Sequence, residues 1–163
     1  MKYITVLTLA LLIISCKKEP QVETLTAEGI INKSIKVSGD SLFQRSKIAF
    51  DFRDKHYEAI RKEGQFDLIR TFISDGDSIK DVLTNSGFER FVNSTKMPVA
   101  DSMAVKYSAS VNSVHYFSIL PYGLNDKAVN KTLIGEDTVK DKAYHLIKVT
   151  FSEEGGGEDY EDV

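Results

Sequence analysis

Residues 46–92 read SKIAFDFRDKHYEAIRKEGQFDLIRTFISDGDSIKDVLTNSGFERFV, and their spacing decides the fold. Ile48, Phe50 and Phe52 alternate with Ala49, Asp51 and Arg53, which is the period of a strand. Tyr57 to Arg61 continues as a second strand, and Glu63-Gly64 is a turn. Phe66, Leu68 and Arg70 alternate with Asp67, Ile69 and Thr71 in a third. Asp75-Gly76-Asp77 is a turn, Ile79 to Thr84 a strand, Asn85-Ser86-Gly87 a turn and Phe88 to Val92 a strand. Strands this close, joined by Gly and Asn/Asp turns, form an antiparallel meander. Parallel strands would need crossovers of a dozen residues or more, and the intervals leave no room for them.

The flanks supply helices. Thr26 is a good N-cap, Glu28 falls in the first turn, and Ala27, Ile30, Ile31 and Ile35 form one apolar stripe. Gly39 is placed to stop this helix, so it covers residues 26–38. Downstream, Pro98 breaks the sheet and Asp101 caps a helix running to about Leu120. Met103, Val105, Tyr107, Val111, Val114, Tyr116, Phe117 and Leu120 make it apolar on more than one face. Pro121-Tyr122-Gly123 ends it. Strands resume at Lys131–Ile134, Asp137–Lys140 and Ala143–Ser152. Glu153 to Gly157 reads as a loop and Asp159 to Val163 as the start of another strand, so the chain is expected to be a fragment lacking its C-terminal strands. The expected class is α+β: a curved antiparallel sheet, a half-barrel, with an N-terminal helix and a mid-chain apolar helix packed on it.

At 163 residues the chain suits one domain, assigned to residues 26–163. A net charge of −3 argues against nucleic acid as a partner, since such binders carry a basic excess or stripe. Charged residues at 28% and apolar ones at 42% fit neither disorder nor a polytopic membrane protein. A lone cysteine excludes an internal disulfide and a thiolate zinc cluster.

That cysteine lies in a telling place. Lys2 is the only charge before it, and Ile4 to Ile14 is apolar apart from Thr5 and Thr8. The run is shorter than the 20 or so residues that span a bilayer but suits a signal-peptide core. It ends Ile13-Ile14-Ser15-Cys16 before Lys17-Lys18-Glu19-Pro20. Aliphatic residue, small residue, cysteine resembles the bacterial lipobox. The resemblance implies a signal peptide over residues 1–15, cleavage before Cys16, and acyl chains such as palmitate on that residue. Two or more chains hold a protein stably to a membrane. Residues 16–25 are then the lipidated cysteine and a polar tether. Lys17 follows the cysteine where Asp would favour inner-membrane retention, so an outer-membrane address is expected, on either the periplasmic or the surface face.

The order of elements resembles the LolA/LolB-like lipoprotein-carrier superfamily in layout, though not in motif. More closely, YSASVNSVHYFSILPYGLNDKAVNK (Tyr107–Lys131) and GGGEDYEDV (Gly155–Val163) resemble a family of uncharacterised bacteroidete envelope lipoproteins. The carrier resemblance implies a concave apolar surface between sheet and helices that holds an acyl chain or similar ligand. Phe50, Phe52, Phe66, Phe72, Met103, Tyr116 and Phe117 are the expected lining. The bland alternative is that the nine Phe and seven Tyr simply fill a core.

Catalytic signals are weak. Gly39-Asp40-Ser41-Leu42 spells the GDSL hydrolase signature, but it follows a helix, and Asp141 and His145 are four apart where that family has three. His56, His115 and His145 are scattered with no paired spacing, so no metal site is assigned. His115 is the least isolated, with Asn112, Tyr116 and Tyr122 as candidate neighbours. Six acids in Glu153–Asp162 could offer oxygens to calcium, but match no EF-hand and suit a solvated loop. A deoxyribose-phosphate aldolase is a barrel of alternating strands and helices, and here strands follow strands. No catalytic residue and no cofactor is therefore expected. Two readings follow. The first is a lipid-anchored envelope protein that binds or carries an apolar or acyl ligand without catalysis. The second is a structural or interaction subunit that docks another envelope protein. An enzyme of unrecognised type is a minor third.

Overall fold

The computed structural model describes residues 25–152. The expected signal peptide, Cys16, most of the expected tether, the acidic run at 153–162 and the strand expected at 159–163 lie outside the described residues.

The expected meander forms. Strands β1 (Arg45–Phe52), β2 (Lys55–Lys62), β3 (Gln65–Ser74), β4 (Asp77–Thr84), β5 (Gly87–Val92) and β6 (Thr95–Met97) pair in sequence order, every neighbour antiparallel. Two-residue loops set the register. Glu63-Gly64, Asp75-Gly76 and Asn93-Ser94 hold both residues at positive φ, the backbone that matches the right-handed strand twist. Two asparagines stitch these loops to strands further on. Asn85 accepts from the Phe66 amide and donates to the Gly64 carbonyl, at 2.8 and 3.0 Å. Asn93 accepts from the Ser78 amide and donates to Asp77, at 3.0 and 2.7 Å. The short β6 had no sequence expectation, because Thr-Lys-Met carries no alternation.

Helix α1 (Ala27–Ser38) begins where Thr26 Oγ1 accepts the Gly29 amide at 3.0 Å. It buries Ala27, Ile31 and Ile35. Gly39 ends it at φ 128°, its N–H donating to the Ile35 carbonyl. A 3-10 turn over Asp40–Gln44 then leads into β1. Helix α2 (Asp101–Ser118) lies across β3, β4 and β5, whereas α1 packs on both 3-10 turns and on β7. The core of the sheet–helix sandwich is Ala59, Leu68 and Val111, with Phe66, Leu83 and Phe88 around it.

The end of the chain differs from expectation in one respect. The two short strands at 131–134 and 137–140 are a single strand, β7 (Val129–Val139), bent by a register shift between Leu133 and Gly135. A bulge keeps a strand continuous where alternation in the sequence slips by one residue. It pairs with β8 (Lys142–Phe151) in a separate two-stranded ribbon. Over the described residues the class is α+β, with eight antiparallel strands, no closure, an N-terminal helix and a mid-chain helix.

After α2 a second 3-10 turn, Tyr122–Asn125, brings Gly123 under the Tyr116 ring, and Tyr116 Oη donates to the Gly123 carbonyl at 3.1 Å. A Cβ at Gly123 would collide with that ring. Gly123→Ala should therefore destabilise the fold by about 1–3 kcal/mol, the range for overpacking. A urea midpoint unchanged from wild type would refute this.

Candidate functional site

The seven aromatic and methionine residues expected to line a cavity do not converge. Phe50 lies under α2, stacked on Tyr57 at 5.4 Å, and Phe66 packs against the core. Phe72 carries Lys55 and Arg70 over its ring at 5.1 and 5.5 Å. Tyr116 packs edge-on against Phe151 and Phe117. Phe52, Met103 and Phe117 are exposed, Phe117 at 61%. Phe72 and Ile73 border an open depression of about 460 Å³, shared with Asp51, Arg53, Asp54, Lys55, His56 and Thr71. Six of these eight residues are charged or polar by type.

What the fold does assemble is polar and sits beneath α2. The register places Arg70 of β3 opposite Asp81 of β4, and Asp81 opposite Arg90 of β5. All three face the helix. Arg70 Nε and Nη2 donate to Asp81 Oδ2 at 3.2 and 2.7 Å. Arg90 Nε donates to Oδ1 at 2.7 Å and Nη2 to Oδ2 at 3.0 Å. Asp81 is fully buried. Four charge-assisted bonds on one buried carboxylate are strong. They also raise the Arg90 pKa, despite its partial burial. Arg70 Nη1 donates to Ser110 Oγ at 2.8 Å, and the Tyr107 ring lies 3.8 Å from the Arg90 guanidinium carbon. Ser110 and Tyr107 are both on α2, so the charge cluster is also the seat of the helix.

One turn and a half along α2, His115 makes a second attachment. It is fully buried, with Nε2 3.1 Å from the Ile69 carbonyl. Phe50 and Tyr57 meet its ring edge-on at 5.9 and 5.5 Å. Burial pushes its pKa down, and Arg61 and Arg70 push the same way, against the opposing Ile69 bond. Among the described residues its Nδ1 meets no partner, and neither does the buried Nη1 of Arg61. Asn112, Tyr116 and Tyr122 were the neighbours expected from sequence; the contacts its ring makes are with Phe50, Tyr57 and the Ile69 carbonyl. Strand parity could have shown part of this, because Arg70 shares its face with Phe66 and Leu68.

On the opposite face Asp51, His56 and Thr71 stand side by side on β1, β2 and β3. His56 Nδ1 is 2.7 Å from Asp51 Oδ1, and Nε2 is 3.8 Å from Glu58. Both partners of the shorter contact are open to water, where such a pair contributes little. Ser41 lies in the first 3-10 turn, and His145 faces Glu136 across the ribbon at 3.1 Å. Among the described residues no group of three or more His, Cys, Asp or Glu could hold a metal ion. No helix among them is long and apolar enough to cross a membrane.

Fold and site together define a small α+β protein, an open antiparallel meander whose covering helix is seated on a buried arginine–aspartate cluster. The chain belongs to DUF6503, a family of unknown function whose model matches residues 2–163. No curated protein and no solved structure matches it.

Proposed function

We propose that this protein is a lipid-anchored, non-catalytic module of the bacterial cell envelope, held to the outer membrane through Cys16, whose β7–β8 ribbon docks a partner envelope protein. The observation that supports this is the ribbon itself. Its strands are 11 and 10 residues long, and neither outer edge is paired among the described residues. Ile134, Val139, Tyr144 and Leu146 are exposed along it. A lone two-stranded ribbon is marginal in water, and a free edge is a template for strand addition. The β8 edge carries Lys142, His145 and Lys148 with no acid, which suits an acidic strand from the partner.

A photo-crosslinking residue at Tyr144 or Leu146 in living cells tests this. A discrete adduct should form there, be absent from Lys47 on the far sheet, and vanish with Lys142→Glu and Lys148→Glu. An adduct indifferent to those charges would count against the reading, as would none.

The carrier reading, supported by the layout similarity to lipoprotein carriers, has one structural observation in its favour: Phe72 and Ile73 at the mouth of the open depression. An apolar molecule extracted at near one-to-one ratio from the purified full chain, and lost in Phe72→Asp, would favour it over docking.

A further inference from the structure

The six-stranded sheet has two outer strands, and they are unlike. β6 is three residues long, and a short edge strand is one way a sheet resists strand addition. β1 is eight residues long, with no proline and no irregularity in its pairing to β2. Among the described residues nothing pairs with its outer side. A long regular edge is a template for another strand unless a bulge, a proline or repelling charge blunts it. The first two are missing from β1, so its charges decide what the edge accepts.

The ladder fixes which backbone groups are free. Arg53-Asp54 is a two-residue loop, and such a loop closes on a hydrogen-bonded pair, here Phe52 with Lys55. Pairs of this kind recur at every second residue, so Phe50, Ile48 and Ser46 turn their N–H and C=O toward β2. Asp51, Ala49 and Lys47 turn theirs outward. A second β1 laid antiparallel about a two-fold axis at Ala49 brings outward groups to outward groups. Lys47 of each copy then stands opposite Asp51 of the other, and Arg45 falls diagonal to that same acid. On the face toward α2, the half-buried Ile48 meets Phe50, and Ser46 meets the exposed Phe52. Only the small Ala49 lies on the axis. Cations at the start of the strand and an acid at its end are what a two-fold axis makes self-complementary. Lys47 and Asp51 have room for this contact. Their side chains are 65% and 80% exposed, and each has one partner in its own copy, Glu58 at 3.2 Å and His56 at 2.7 Å. An ammonium has three donors and a carboxylate about four acceptor sites.

We propose that β1 is a dimerisation edge, on which a second copy of this chain adds its own β1 antiparallel, joining the two six-stranded sheets into one. Opposite charges directly across the strands favour the pairing, and like charges there oppose it. The contact uses the same surface on both copies, so it closes at two and does not grow. It does not rest on the docking role of the ribbon, which is a separate sheet.

The full chain, purified in detergent, provides the test. Sedimentation velocity over a concentration series should show monomer passing to dimer. Amide hydrogen exchange should be slow at Lys47, Ala49 and Asp51 in the dimer and fast on dilution, while Ile48 and Phe50 stay protected in both. Ala49→Pro removes an outward N–H without touching a bond to β2, and should leave a folded monomer. Lys47→Asp and Asp51→Lys each set like charges opposite one another and should weaken the dimer by about tenfold or more. The double reversal, Lys47→Asp with Asp51→Lys, restores the match and should recover the dimer, which guards against a folding artefact in a single variant. In cells, a photo-crosslinking residue at Lys47 should give an adduct of twice the chain mass, distinct from the partner adduct sought at the ribbon. A monomer at every concentration, a dimer whose Lys47, Ala49 and Asp51 amides exchange freely, or protection of those amides in the monomer would overturn the proposal. So would a double reversal no better than either single one, or a Lys47 adduct with a different protein.

Discussion

Asp81→Ala is expected to remove about 3–5 kcal/mol of folding stability, the usual consequence of breaking a buried ion pair from one side. The carboxylate is the hub of the cluster, accepting four bonds from two arginines while fully buried. Its loss leaves two guanidinium groups facing each other under α2 with no counter-charge. A single domain has only about 5–15 kcal/mol in total, so the variant should be close to unfolding. Arg90→Met should be milder, because Arg90 lies nearer the rim and the Arg70–Asp81 pair survives. Urea denaturation of both variants checks the order. A loss below about 1 kcal/mol for Asp81→Ala would show that the helix is not seated on this carboxylate. Replacing all three residues by apolar ones of matching volume should recover much of the loss, since the desolvation of the charges disappears with them.

Acid should loosen α2 through His115. The ordinary pKa is 6.5, and the folded value is lower. Below pH 6.5 the unfolded chain takes up a proton that the native imidazole refuses. Stability therefore falls as pH drops from about 6.5 toward the depressed native value, by about 1.4 kcal/mol per pH unit at most, and the slope ends once the native imidazole charges. Charging it in place would set a third cation beside Arg61 and Arg70. His115→Gln keeps a donor for the Ile69 carbonyl and cannot charge, so its stability should be flatter over this window. Asp126 has the opposite tendency, its carboxyl raised by burial, and is common to both proteins. Urea midpoints measured from neutral pH down to about pH 5 provide the comparison. Parallel curves for wild type and His115→Gln would mean that another group carries the acid response.

Several of these features can be traced to particular residues in the sequence. Alternation from Ile48 to Val92, broken by Gly and Asn turns, is a local property, because side chains in a strand change face with every residue. Thr26 and Gly39 bound α1 for equally local reasons. The charge cluster was also within reach. An Asp75-Gly76 loop places Arg70 opposite Asp81, and an Asn85-Ser86 loop places Asp81 opposite Arg90. A charged residue on an apolar face invites the opposite reading, that it marks a solvent edge, unless the cross-strand partner is counted.

Met103 and Phe117 stay exposed on α2 for a different reason. Apolar character along α2 does not say which stripe meets the sheet. The stripe through Tyr107, Val111 and His115 does so because Arg90, Leu68 and Tyr57 are there to receive it.

From sequence alone came the order and pairing of the meander, the ends of α1, and the expectation of a lipid anchor at Cys16. These rest on interactions between residues close along the chain. Tertiary structure alone decided that His115 is buried against Ile69 and Tyr57, that β7 and β8 stand apart from the main sheet, and which stripe of α2 is buried. Those outcomes depend on how separate elements meet in three dimensions, where burial and pairing of charge are settled by neighbours tens of residues away.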